Sequence, residues 1–148
     1  MSEAERLSVP VAEMIPLIRA AVDGGGTAEM TVTGDSMRPL LLDRRSSVRL
    51  TAPDGLRAGD IVLFRRDDGH FILHRIIAVR GDRFDIVGDN QRVPDRDIPR
   101  EAIIARVAAY DRKGKRWRTG DACYRALLPG IRLARRVKNK VKNKFFTC

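Results

Sequence analysis

No lysine occurs before Lys113, and the whole chain has only two histidines, His70 and His74. This scarcity narrows any proton chemistry upstream of Lys113. Arginine stays protonated, so the neutral bases on offer there are the two imidazoles. Cysteine is equally scarce. Cys123 and Cys148 stand 25 residues apart, which makes neither a disulfide framework nor a metal knuckle; two free thiols in a reducing compartment are expected. No stretch approaches the ~20 apolar residues needed to span a bilayer. The N-terminus lacks a basic patch followed by an apolar run, so no secretory signal is read and a cytoplasmic chain is expected.

A length of 148 residues suits one domain with a real core. The net charge of +10 is uneven. Of the 29 Lys and Arg, eight fall after residue 122 with no acid among them, leaving 21 against 19 Asp and Glu before it. Basicity is thus a property of the tail. The organisation follows the charge: a domain over 1–122 and a basic amphipathic tail over 123–148.

Val11, Met14, Ile15, Ile18 and Val22 fall at helical spacing, which predicts an amphipathic helix over roughly 10–22. Pro16 should kink it or delay its start. Alternation predicts a half-buried strand over Ala28–Thr33. Further strands are expected at Ser47–Leu50, Ile61–Phe64, Phe71–Val79, Arg83–Val87, Ile103–Tyr110 and Lys115–Arg118, punctuated by Asp-Gly and Gly-Asp turns. This is the pattern of a mostly-β, coiled domain with one leading helix. In the tail, Pro129 can open a second helix running to about Phe146.

The chemistry concentrates in few places. Ser36 lies in Gly34-Asp35-Ser36-Met37-Arg38-Pro39, a constrained turn after a short strand. A serine hydroxyl needs a base to become a nucleophile. In His70-Phe71-Ile72-Leu73-His74 the two imidazoles share a face if both are in the strand; if His70 is still in the turn, only His74 is fixed in the sheet. Gly88-Asp89-Asn90-Gln91-Arg92-Val93-Pro94-Asp95 puts two carboxylates in a turn-rich loop. A carboxylate there that accepts the other ring N–H of His74 would fix its tautomer.

In this order the segments resemble the boxes of the signal peptidase I superfamily, which also holds the self-cleaving SOS-repressor-type peptidases. Gly34-Asp35-Ser36-Met37-Arg38-Pro39 is similar to the nucleophile box, and Gly59-Asp60-Ile61-Val62-Leu63-Phe64 to the G-D-x-V-x-F box. His74-Arg75-Ile76-Ile77 is similar to the box that reads K-R-V-I in bacterial members and H-R-V-I in archaeal and endoplasmic-reticulum members. Gly88-Asp89-Asn90 with Asp95 resembles the G-D-N-x(4)-D loop of the histidine branch. The resemblance implies a twisted antiparallel β fold and a serine endopeptidase that needs no cofactor or metal. It makes Ser36 the nucleophile, His74 the general base and Asp95 the acid orienting it. Asp89 becomes a second, structural carboxylate. Gly34 stands where many members carry an oxyanion-binding serine, so backbone N–H groups around Ser36 and Met37 must hold the oxyanion.

The implied substrate is an extended signal- or leader-like peptide added at a sheet edge. A histidine base implies activity that falls as pH drops through roughly 6–7. Two other readings stand beside this one. The first is a cytosolic maturation peptidase for small precursors, or one that cleaves itself at sites such as Ala20-Ala21 or Ala108-Ala109. The second is a non-catalytic lipid- or nucleic-acid-binding adaptor. The tail, over 124–146, fits a solvated helix or a helix on an anionic membrane surface; its sparse aromatic residues and the near-neutral domain argue against nucleic acid.

Overall fold

The spacing Ile15, Ile18, Val22 that signals a helix is the spacing that becomes buried: helix α1 spans Val11–Asp23 and turns those three side chains inward. The helix continues through Pro16, which lies on its exposed side. The computed structural model describes residues 11–120, 126 and 128–131; the expected tail helix lies outside these apart from its first turn.

Eight strands follow: β1 Ala28–Thr31, β2 Ser47–Thr51, β3 Ile61–Arg65, β4 Phe71–Arg80, β5 Arg83–Val87, β6 Asp95–Pro99, β7 Ile103–Arg112 and β8 Lys115–Arg118. They form one antiparallel sheet in the order β1-β2-β7-β3-β4-β5-β6, with β8 paired to the end of β7. The fold is therefore mostly β, as the strand count and turn spacing predict. Strand β1 stops at Thr31, two residues short of expectation. Strand β6 was not expected at all. Its sequence, Asp95-Arg96-Asp97-Ile98-Pro99, carries three charges and a proline; its place at the sheet edge explains how that composition is tolerated.

Register shifts interrupt the β2–β7, β3–β7, β4–β5 and β5–β6 ladders, and such irregularities bend and coil a sheet. The coiling gives β3 two buried faces. Ile61 and Leu63 point into one core with α1, β1, β2 and β7, whereas Val62 and Phe64 point into a second with Ile76, Phe84, Ile86 and Ile98. This accounts for the unbroken apolar run Ile61–Phe64, which a one-sided strand would not need. Leu128 and Ile131 pack on the first core. Strand β4 divides along its length: residues 71–75 pair with β3 and residues 75–80 with β5. His74 and Arg75 stand at that change of partner.

Candidate active site

Ser36 occupies a tight turn between β1 and β2. The chain leaves β1, buries Val32, and reverses at Gly34, whose φ of 85° suits glycine. The Gly34 N–H donates to Asp43 Oδ1 at 2.8 Å. Within the turn, the Arg38 N–H donates to the Asp35 carbonyl (3.2 Å) and the Leu41 N–H to the Met37 carbonyl (2.9 Å). Met37 is 1% exposed, so its side chain roots the turn in the core while Ser36 stays half-buried at the surface.

His74 enters from β4, opposite Val62 on β3. Its ring is buried at 2% exposure and lies tilted against Phe64, with centroids 6.2 Å apart. Gly88 brings the two parts together. A methyl group added there would lie 2.6 Å from the Ser36 carbonyl oxygen and 3.1 Å from His74 Nε2. The Ser36 turn and the Nε2 edge of the imidazole therefore converge on one α-carbon, and only glycine leaves room for both. Ser36 and His74 line a single cleft of about 250 Å³. Met30, Val32, Leu63 and Leu73 supply apolar wall; Arg66 and Gln91 supply polar groups.

The carboxylates of the 88–95 loop part company. Asp89 is buried and paired with Arg75: Nε–Oδ1 is 2.8 Å and Nη2–Oδ2 is 2.7 Å, while Arg75 Nη1 donates to the Gly59 carbonyl at 2.8 Å. Asp95 does not accept the His74 N–H. It sits at the start of β6 rather than in a loop, and its two oxygens receive Arg66 Nε and Nη2 at 3.0–3.3 Å. Among the described residues His74 Nδ1 has no hydrogen-bond partner. The expected orienting bond is replaced because a bidentate guanidinium, fixed by the β3–β4 turn, satisfies the carboxylate first. His70 lies exposed in that turn beside Asp68, at 3.0 Å, and does not line the cleft.

Burial pushes His74 down to a pKa of about 4, and the Arg66 charge pushes the same way; the Asp95 and Asp89 carboxylates oppose them without prevailing. The imidazole is thus neutral across the physiological range, as a general base must be. This moves the expected acid limb from pH 6–7 to about pH 4. No group of three or more His, Cys, Asp or Glu able to hold a metal occurs among the described residues. Nor is any helix among them long and apolar enough to cross a membrane.

Three residues escape a sequence reading, two that line the cleft and one that holds the Ser36 turn from outside it. Arg66 and Gln91 carry no local signal. Asn90 lies inside a recognisable box, yet its two hydrogen bonds, N–H to the Ser36 carbonyl at 2.8 Å and Nδ2 to the Asp35 carbonyl at 3.0 Å, span 54 and 55 residues of chain. In comparison with known families, the model described as peptidase S24-like matches residues 3–108. No curated protein matches the chain.

Proposed function

The chain belongs to the peptidase S24-like family, and from that premise we propose a serine endopeptidase in which Ser36 is the nucleophile and His74, in place of a lysine, is the base. Ser36 Oγ attacks the scissile carbonyl as its proton passes to His74 Nε2. The tetrahedral intermediate collapses when the imidazolium returns that proton to the leaving amine. Water, deprotonated by the same nitrogen, then attacks the acyl-enzyme and frees Ser36.

The observation that carries this reading is the convergence of the Ser36 turn and His74 Nε2 across Gly88 on one cleft. The neutral state of the buried imidazole supports it, as does the absence of lysine before Lys113. Asp95 acts on His74 by charge rather than by a hydrogen bond. The edge strand β1 contributes Met30 to the cleft, which suits an extended peptide laid beside it. Self-cleavage at the two Ala-Ala pairs is disfavoured: Ala20-Ala21 is helical and Ala108-Ala109 lies in β7 between paired neighbours.

The test is cleavage of a diverse peptide library by the purified chain, with Ser36→Ala and His74→Ala beside it. Both variants are expected to lose activity by about 10⁴-fold or more. Undiminished cleavage by either would refute the dyad. The basic tail offers a route to substrates at an anionic bilayer. Co-sedimentation with anionic vesicles that disappears when residues 132–148 are removed is the expected result; sedimentation indifferent to the deletion disposes of that role.

A further inference from the structure

We infer that Asn90 is a positioning residue that sets the oxyanion hole, by holding two successive peptide groups of the Ser36 turn with their N–H donors aimed away from it. The inference rests on the reading of Ser36 as nucleophile. A trans peptide is planar, so its N–H points opposite to its C=O, and the one cis peptide among the described residues is Arg38–Pro39. Asn90 Nδ2 holds the Asp35 carbonyl, which fixes the direction of the Ser36 N–H. The Asn90 backbone N–H holds the Ser36 carbonyl, which fixes the direction of the Met37 N–H.

Those two donors are the ones left over. Among the described residues neither the Ser36 N–H nor the Met37 N–H reaches an acceptor, and successive N–H groups on one side of a turn form an anion-binding concavity. Their placement agrees. Ser36 and Met37 line the cleft, whereas Asp35 and Asn90 do not, so the carbonyls are gripped from behind and the amides face the reacting carbon. With glycine at position 34 no side-chain hydroxyl assists from there. Asn90 is in turn held by its neighbour Asp89, locked to Arg75 beside His74.

The experiment uses the full chain, a peptide it cleaves, an uncleavable analogue of that peptide and its boronic acid, whose boron accepts Ser36 Oγ and presents a B–O group to the hole. Asn90→Ala removes the grip on Asp35, although the Arg38 N–H still holds that carbonyl at 3.2 Å. Asn90→Asp keeps the shape but replaces the donor with an acceptor. In both, kcat is expected to fall about 10- to 100-fold, below the cost of deleting a donor outright. KM and affinity for the uncleavable peptide should stay within about twofold, while boronate affinity falls in step with kcat. Parent-like kcat and boronate affinity in either variant would overturn the inference and leave the Ser36/His74 reading intact. Equal loss of affinity for all three ligands would also overturn it, by showing a merely structural role. A parent that neither cleaves nor takes the boronate would remove the reading itself, and the inference with it.

Discussion

Acid should cost this protein stability through His74 before it costs much through its carboxylates. An unfolded histidine titrates near 6.5, whereas the buried ring does so at about 4. Between those values the unfolded chain binds a proton that the folded one refuses, so stability rises with pH across the interval. The contribution is complete above about pH 6.5 and is lost as pH falls towards 4. With 1.36 kcal/mol per pKa unit the full span is about 3 kcal/mol, of which about 2.5 kcal/mol is gone by pH 4.5. For a domain whose total stability is about 5–15 kcal/mol, that is readily measured. Urea unfolding of the parent and of His74→Leu at pH 7.5 and 4.5 isolates the term, because the variant lacks the imidazole and keeps every other titratable side chain. The parent should lose about 2–3 kcal/mol more than the variant over this interval. The same pKa predicts a kcat/KM profile flat from pH 8 down to about 5. Equal acid sensitivity of parent and variant, or the His74 ring, assigned by its loss in the variant, titrating near 6.5 by NMR, would refute the burial argument.

Asp89→Ala should destabilise the fold by about 3–5 kcal/mol, since it takes the counter-charge from a buried guanidinium whose bond to the Gly59 carbonyl remains. A double change, Arg75→Met with Asp89→Leu, should recover much of this in the same unfolding assay. Gly88→Ala forces a methyl group to 2.6 Å from the Ser36 carbonyl; a cost of about 1–3 kcal/mol in denaturant midpoint and a larger proportional loss of kcat are expected. Arg66→Gln removes the cation that depresses His74 and frees Asp95, so the acid limb of kcat/KM should move to higher pH. His70→Ala, on the exposed turn, should leave kcat/KM unchanged.

The legible part of the molecule was the part governed by local pattern. The period-two runs and the Asp-Gly turns mark seven of the eight strands, and the unbroken Ile61–Phe64 run marks the doubly buried one. The ordered boxes single out Ser36 and His74, which line one cleft, and Asp89, which pairs with Arg75. What escaped depends on distant partners. Strand β6 exists because β5 offers it a free edge, not because of its own composition. Asp95 has a carboxylate fit to orient a histidine, yet Arg66, 29 residues away, reaches it first. An ordinary imidazole puts the acid limb at roughly pH 6–7; burial of the ring, with Phe64 and Gly88 beside it, and then the Arg66 charge lower it. Locally Asn90 reads as one more turn residue, because the Ser36 and Asp35 carbonyls it holds lie 54 and 55 residues away.

The pairing of Arg75 with Asp89 also limits how this site can be rebuilt. The guanidinium belongs to the strand that carries His74, and the carboxylate to the loop that holds the Ser36 turn. A graft of residues 34–39 into another β fold would carry the hydroxyl across without its aim. The smallest transferable unit is three separate stretches of chain: the turn, the strand and the loop between Gly88 and Asn90.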